Sequence, residues 1–336
     1  MDEKLLKTIQ NLYRFQGVIR FVKVVDQGYL SHNVVLEDDE KRYFLKRYRF
    51  DNENRVIETH NAKSFFFERG IPVVMPILSV QEKSFFRYEE NFYVLFPFIS
   101  GFQSTDKNLT DEALRSMGRL LANIHLVGKD SGSLTVESRA FSLDKAYFSK
   151  RVSVLRSIID RQEEKTEYDT LAVQCLDLKT LLVCMYSEQY EDLLLLQGKD
   201  HILHGDFHDE NVFFDADGNV MHVFDWEKVN RGPRGLDVAR SLPLICFWDG
   251  FSDAHFHNAG IYLRAYNEMY PMDKEYLRES LMFWNREQAH ALWILESHYL
   301  RHDHKAGSLL ESHMKRLRYW SVHEDEYVER LANMLE

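Results

Sequence analysis

The chain changes its hydrophobic pattern once, near Gly101, and this change limits the folds that it can adopt. Before it, short apolar runs alternate with polar residues, as in RFVKVV and RYFLKRY, and the acidic turn EDDE separates two of them. Such alternation predicts a small antiparallel sheet. The same part of the chain also contains one predicted helix, which Gly70 and Pro72 end. After Gly101, apolar residues recur at helical spacing. We therefore predict an α+β fold with a β-rich lobe at 1–98 and a helical lobe at 99–336.

Residues suited to cap helices, together with further strand-like runs, support both parts of this prediction. Asp51 or Asn52 is suited to cap the helix of the first lobe, and the runs VVMPILSV, SFFRY and FYVLFPFI predict further strands. In the second lobe, Thr110 precedes a segment whose Leu114 and Met117 share one helical face.

The charge balance and the cysteines limit the partners and the compartment. Lys and Arg number 42 and Asp and Glu 53, which gives a net charge of −11. A surface of that sign repels phosphate backbones and anionic lipid, so we expect neither nucleic acid nor a membrane as a partner. Three cysteines are too few and too irregularly spaced for a disulfide framework, and no apolar run reaches the length of a membrane span. These features favour the cytoplasm.

A polar segment, HGDFHDEN at 204–211, holds the densest group of reactive side chains in the sequence. It is followed by VFFDADGNVMHVFDWE, in which two apolar runs flank an Asp-Gly pair, a strong hairpin signal. Because a hairpin brings its ends together, Asp225 should return close to Asn211. The pattern therefore gathers the carboxylates of Asp206 and Asp225 and the amide carbonyl of Asn211 around one point.

The ligand chemistry at this point leaves two metals to consider. Carboxylate and carbonyl oxygens suit a hard cation such as Mg²⁺, which keeps several of its waters. His204 and His208 offer imidazole nitrogens, so a zinc metallohydrolase is the alternative. The segment does not follow the His-x-His-x-Asp-His pattern of the metallo-β-lactamases, and its oxygen ligands favour magnesium.

The interval of five residues from Asp206 to Asn211, with Asp225 one hairpin later, resembles the aminoglycoside phosphotransferase and choline kinase family, small-molecule relatives of the protein kinases. The matching stretches are HGDFHDEN, VFDWE and GLDVARS. The resemblance implies a bilobal, protein-kinase-like fold and a kinase dependent on ATP and Mg²⁺. Its acceptor would be a hydroxyl of a small molecule: an amino alcohol, an aminoglycoside, homoserine or a sugar. Asp206 would take the hydroxyl proton, while Asn211 and Asp225 would hold the metal.

The resemblance also implies a nucleotide site in the first lobe. Lys46 in YFLKRY would contact the phosphates, and Glu58 on the next helix would be its ion-pair partner. The other implied nucleotide contacts are Gly28, Ser31 and Asn33 in DQGYLSHN, and Phe96 and Phe98 in FYVLFPFISG, which resembles the hinge that holds adenine.

Two other functions stay open at this stage. DQGYLSHN has a single glycine, as expected for a nucleotide-binding pseudokinase with a regulatory role. An atypical protein Ser/Thr kinase is the second alternative. However, only 11 residues separate Asp225 from Asp237, which is too few for a long activation loop and favours a small acceptor.

The sequence is less specific about the residues that support the loop and about the acceptor site. His204 is expected to brace its loop, and Asp237 either caps a helix or holds the catalytic loop. The residues that select the acceptor should lie at 236–320, where aromatic residues stand beside acidic ones. Such residues form a cage for a cation in some proteins, but aromatic residues at helical spacing, such as Trp293, are more often core.

Overall fold

The structure is a computed structural model that describes residues 2–25, 33–101, 109–132, 134–138, 143–186 and 200–335. The first lobe contains a five-stranded antiparallel sheet in the order β1-β2-β3-β5-β4 and two helices. Its elements are α1 (Glu3–Leu12), β1 (Arg20–Val25), β2 (Asn33–Glu37), β3 (Arg42–Arg47), α2 (Glu53–Phe67), β4 (Phe86–Tyr88) and β5 (Asn91–Pro97).

The second lobe is helical and contains two small antiparallel strand pairs, β6 with β9 and β7 with β8. Its helices are α3 (Asp111–Lys129), α4 (Lys145–Asp160), α5 (Glu167–Tyr186), α6 (Arg234–Ile245), α7 (Asp253–Met269), α8 (Lys274–His290), α9 (Trp293–Arg301) and α10 (Leu310–Ala332). Its strands are β6 (Asp200–Leu203), β7 (Val212–Phe214), β8 (Val220–Val223) and β9 (Asn230–Pro233). No helix in the described part of the chain is long and apolar enough to cross a membrane.

The turn between β2 and β3 is held by one buried carboxylate. Asp38 accepts hydrogen bonds from the backbone N–H groups of Gln16, Glu40 and Lys41 and from the Tyr43 hydroxyl. Burial alone would raise the pKa of Asp38, but these donors lower it far below its usual value. The acidic EDDE turn therefore has a structural role that fixes the register of the two strands.

Helix α2 begins as the sequence predicts. Asn52 is its N-cap, and its side chain accepts from the Asn54 N–H at 2.9 Å. The helix buries Val56 and Phe66 at helical spacing against the sheet and the second lobe. This packing sets the side of α2 that faces the cleft.

The segment VVMPILSV is not a strand, and the prediction of one was wrong. Within it, Val73 forms only an isolated bridge to Val223. The Val223 N–H donates to the Pro72 carbonyl at 2.8 Å, and the Val74 N–H donates to the Val223 carbonyl at 3.1 Å. Pro76 lacks an N–H and therefore interrupts any longer ladder. The segment instead ties the first lobe to the β7–β8 hairpin.

Helix α3 is central to the second lobe. Thr110 caps it by accepting from the Ala113 N–H at 3.2 Å, as predicted, and Leu114 and Met117 are buried. At Gly118, an added Cβ would lie 2.4 Å from the Tyr262 carbonyl oxygen of α7. Glycine is therefore what allows α3 and α7 to pack closely behind the site.

Candidate active site

The polar segment 204–211 follows β6 and forms a loop that closes with a 3₁₀ turn, Asp209–Asn211, before β7. The loop begins with Gly205 in the left-handed region, at φ +78°. A Cβ at this position would lie 2.0 Å from the Lys228 carbonyl oxygen. The second residue of HGDFHDEN is therefore glycine for two separate reasons, conformation and space.

We expect Gly205→Ala to destabilise the protein by roughly 3 kcal/mol or more, because it combines backbone strain with a backbone clash. Gly70→Ala is the matched control, since Gly70 has φ +83° and nothing within 4 Å of an added Cβ. It should cost only about 1–2 kcal/mol. Urea unfolding of both variants measures the difference, and equal losses would contradict the crowding inferred at Gly205.

Asp237 holds the start of this loop. Its carboxylate accepts from the backbone N–H groups of His204 at 3.0 Å and Gly205 at 3.1 Å, and His125 Nε2 lies 3.3 Å from it. Burial would raise the pKa of Asp237, but the His125 contact and nearby charges lower it, so the group stays ionised. Pro233 is the N-cap residue of α6, and Asp237 forms no cap bond to this helix among the described residues. Of its two expected roles, Asp237 therefore has the one that fixes the catalytic loop.

His204 braces the same loop from inside. Its Nε2 lies 2.9 Å from the Phe224 carbonyl, and its Nδ1 accepts from the Asp206 N–H at 3.3 Å. Burial lowers the pKa of His204, so the ring is neutral and carries its proton on Nε2. Both ring nitrogens of His204 therefore form hydrogen bonds with the backbone, which fits a structural role.

The predicted hairpin brings Asp225 back to Asn211. Val212 pairs with Val223, and the Phe224 N–H donates to the Asn211 carbonyl at 2.8 Å. Asn211 Nδ2 donates to the Asp206 carbonyl at 2.8 Å, so the side-chain oxygen of Asn211 points away from the loop backbone. Asp225 itself is in the left-handed region, at φ 56°. Strained carboxylates of this kind concentrate at functional sites, where the fold imposes their direction.

Two cations contact the carboxylate of Asp206. Arg240 Nε donates to Oδ1 at 3.1 Å with a second bond from Nη2, and Lys228 Nζ lies 2.8 Å from Oδ2. Burial would raise the pKa of Asp206, but Arg240 and Lys228 hold it well below its usual value. Asp206 is therefore an ionised carboxylate in a partly desolvated cleft, able to accept a proton.

Lys46 points from β3 into the same region. Its side chain is 2% exposed, and Nζ forms an ion pair with Asp225 Oδ1 at 2.7 Å and a second with Glu227. Burial alone would lower the pKa of Lys46, but the two carboxylates raise it. Burial also opposes ionisation of Asp225, yet Lys46 lowers its pKa to about 2. The predicted phosphate-binding lysine and the predicted metal ligand therefore contact each other.

Glu58 has a different partner from the one expected. Its carboxylate pairs with Arg55 Nη1 at 3.0 Å, while the carboxylates on Lys46 come from Asp225 and Glu227. Arg55 Nη2 also donates to the Glu227 carbonyl at 3.2 Å, which ties α2 to the segment after Asp225. The predicted ion pair between Lys46 and Glu58 of α2 is therefore not formed. Asp225 and Glu227, which follow the hairpin in the second lobe, contact Lys46 instead.

Lys63, also on α2, is a buried cation beside the site that the sequence reasoning missed. It is 1% exposed, and its Nζ lies 4.2 Å from the centroid of the Phe96 ring. Burial and the nearby Lys46 lower its pKa to about 7. A signal was present in the sequence, since Lys63 stands at helical spacing between the apolar Val56 and Phe66, where a solvated lysine is not expected.

The remaining predicted nucleotide contacts divide into three groups. Gly28 and Ser31 lie outside the described residues. Asn33 is opposite Lys46 in the β2–β3 register and lines the cleft. Phe96 is fully buried and packs on Phe224, whereas Phe98 is 38% exposed and lines the cleft.

These residues surround a cleft of about 1850 Å³ between the sheet and the helices. A typical ligand site measures roughly 300–1,000 Å³, so this cleft has room for more than one small ligand. Its lining on the side of the sheet includes Pro97 to Ile99, and its helical side includes Arg240, Trp284 and Arg316. The catalytic loop lies between the two sides.

The cleft lies between a small sheet and a helical lobe. A buried lysine, an ionised aspartate and an Asn–Asp pair lie along it. This arrangement defines a phosphotransferase of protein-kinase-like fold. A family model described as the phosphotransferase enzyme family, APH, matches residues 22–274. The chain belongs to this family, which confirms the resemblance seen in its sequence. It is an enzyme that phosphorylates hydroxyl groups of small molecules.

Solved structures share this fold over almost the whole chain. Spectinomycin phosphotransferase APH(9)-Ia, in complex with ADP and spectinomycin, is 17% identical, with a TM-score of 0.62 and coverage of 100% of this chain and 99% of its own. Amicoumacin kinase hAmiN, with AMP-PNP, Ca²⁺ and Ami, is 14% identical, with a TM-score of 0.61 and coverage of 95% and 94%. A microcompartment-associated aminopropanol kinase is 14% identical, with a TM-score of 0.61 and coverage of 96% and 98%. A search of curated protein sequences finds no match.

Proposed function

We propose that the protein transfers the γ-phosphate of ATP, bound with Mg²⁺, to a hydroxyl group of a small molecule. The observation that carries this proposal is the convergence of Asp206, Asn211, Asp225 and Lys46 on one cleft. Solved relatives with AMP-PNP or ADP support the nucleotide. Such an activity, together with the cysteine pattern, supports the cytoplasm as its compartment.

Asp206 is the general base in this proposal. Its carboxylate takes the proton of the acceptor hydroxyl while the hydroxyl oxygen bonds to the γ-phosphorus and the bond to the ADP oxygen breaks. In the structure Arg240 makes two contacts to Oδ1, while Oδ2 has one contact, from Lys228, and keeps acceptor capacity for the hydroxyl. Lys228 is also the more mobile of the two cations, since its side chain is 49% exposed against 18% for Arg240.

In this proposal Lys46 would bind the phosphates, and Asn211 and Asp225 would hold the metal. The donor set fits magnesium, since a carboxylate and an amide oxygen are the hard ligands that this ion prefers. When bound, Mg²⁺ supplies charge neutralisation on the phosphates. With Asp225 on the metal, Glu227 would be the carboxylate that holds Lys46 towards the phosphates.

Adenine would meet the backbone at 97–99. Pro97 has no N–H, and the Phe98 N–H donates to the Arg42 carbonyl at 3.3 Å. Phe96 lies within the β3–β5 ladder and is buried. We therefore assign the adenine contact to the carbonyl of Pro97 and the N–H of Ile99, with Phe98 beside them in the cleft lining.

A metal titration tests the role of Asn211. In Asn211→Ala we expect the Mg²⁺ concentration for half-maximal ATP turnover to rise roughly tenfold or more, because a first ligand to the ion is lost. Asn219→Ala is the matched control, since Asn219 is exposed in the hairpin turn and contacts Asp215 instead. An unchanged magnesium requirement in Asn211→Ala would remove this residue from the metal site.

A further inference from the structure

The helical end of the cleft is built from the inward faces of two helices. Trp284, Glu287 and Gln288 occupy one face of α8. Ser312, His313 and Arg316 occupy one face of α10. Because residues three and four apart share a helix face, each set projects into the same space. This space adjoins the catalytic loop through Arg240, which contacts Asp206 and lies 5.4 Å from the Trp284 ring.

The charge of this end is opposite to that of the whole chain. Arg240 is paired with Asp206. Among the other described residues that line this end, the basic ones are Arg301, Lys305 and Arg316, and the acidic one is Glu287. The chain as a whole has 53 acidic and 42 basic residues. A net positive lining in a net negative protein indicates a local site for a negative group.

Arg316 is the cation in this lining that needs a partner. It is half-buried, and no described residue forms a hydrogen bond or ion pair with its guanidinium. Burial lowers its pKa to about 10. A half-buried guanidinium that faces the cleft can form charge-assisted hydrogen bonds with an anionic ligand.

His313 points to the same conclusion independently. It lies one turn before Arg316 on the cleft face and is only 4% exposed. Within the described ranges no side chain or backbone group makes a hydrogen bond to its ring. Burial, with Lys179 and Arg316 nearby, lowers its pKa well below the usual value, so it is neutral and has one N–H to donate. The residue is largely buried but lines the cleft, so its N–H can donate to a ligand there.

We propose that the acceptor carries a carboxylate or phosphate group, which Arg316 and His313 bind at the helical end of the cleft while the acceptor hydroxyl faces Asp206. This rests on the proposed kinase function and names the class of its substrate. Arg301 donates to the Trp293 carbonyl at 3.2 Å and to the Ser297 hydroxyl but forms no described ion pair with a carboxylate, so it adds positive charge to the same end. A cation cage fits this end less well, because Arg240 already covers the Trp284 ring.

Acceptor pairs that differ by one anionic group test the proposal. Suitable pairs are homoserine with 3-aminopropanol, serine with ethanolamine, glycerate with ethylene glycol, and glycerol 3-phosphate with glycerol. The first three add a carboxylate and the last a phosphate, which distinguishes the two anions. We expect the anionic member of the best pair to have the higher kcat/KM. Arg316→Gln should reduce that preference by about 10- to 100-fold, the effect of losing one charge-assisted contact.

Arg318→Gln is the matched control, since Arg318 is exposed on the same helix and contacts Gln174. It should keep the preference of the wild type. Higher kcat/KM for the uncharged or amine member in every pair, or an equal preference in Arg316→Gln and wild type, would overturn the proposal.

A binding measurement does not depend on having the right acceptor. With the nucleotide site filled by Mg²⁺ and AMP-PNP, inorganic phosphate should raise the melting temperature of the wild type and of Arg318→Gln more than that of Arg316→Gln. An equal rise in all three proteins, or none in any, contradicts the anionic subsite. Failure of AMP-PNP to bind at all would instead refute the kinase function, so the two failures are distinguishable.

Discussion

Asp206→Asn is expected to lower kcat by about 10²- to 10⁴-fold, the usual contribution of a general base. Asparagine keeps the size of the side chain but cannot accept the hydroxyl proton. The loop should survive the change, because Asp237 and His204 hold its backbone through contacts that do not involve the Asp206 side chain. ATP affinity should therefore stay close to that of the wild type. Steady-state rates with calorimetric ATP binding measure both quantities.

The control for this experiment is Asp217→Asn, an exposed aspartate in the β7–β8 turn. It removes one carboxylate from the same hairpin without touching the cleft, and its rate should match the wild type. If Asp206→Asn kept most of its kcat, the base would have to be another group. If it lost ATP binding together with activity, the effect would be on the site as a whole rather than on proton transfer.

Lys46→Met is expected to have a large effect on both stability and activity. It leaves Asp225 and Glu227 facing each other in a largely buried place without their cation. Breaking a buried pair in this way typically costs about 3–5 kcal/mol. ATP affinity should fall as well, because the proposed phosphate contact is lost. Urea unfolding and calorimetry test the two effects separately.

Two further variants identify the cause of any loss in Lys46→Met. Lys41→Met changes an exposed lysine in the turn before β3 and should behave as the wild type. Adding Glu227→Gln to Lys46→Met should recover part of the lost stability, since one of the two stranded charges is removed. A stable Lys46→Met protein that binds ATP normally would contradict both the ion-pair geometry and the assigned role.

Local signals were enough to predict much of the fold. The Thr110 and Asn52 caps are made by single side chains within three residues of their partners, so the sequence alone contains the interaction. The Asp-Gly hairpin is equally local, and its closure fixes where Asp225 returns. The strand predicted for VVMPILSV failed because a strand also needs a neighbour, and only Val73 has a bridge there.

The partners of the charged residues could not be predicted in the same way. The family resemblance pairs Glu58 with Lys46, but Arg55 anchors the segment after Asp225 against α2, and Glu227 of that segment contacts the lysine. The motif GLDVARS contains Arg240 but does not reveal its role, because the contact of Arg240 with Asp206 spans 34 residues and depends on how α6 packs. Contacts of this range are decided by tertiary packing, which local patterns do not encode.

The central claim is that this cleft moves the γ-phosphate of ATP to a small hydroxyl compound. The most direct measurement uses ATP labelled in its γ-phosphate, Mg²⁺ and the panel of acceptor pairs, with Asp206→Asn in parallel, and follows the label by chromatography and mass spectrometry. The account predicts label in a phosphorylated small molecule with the wild type and almost none with the variant. Failure of the wild type to bind ATP, or equal transfer by both proteins, would contradict it.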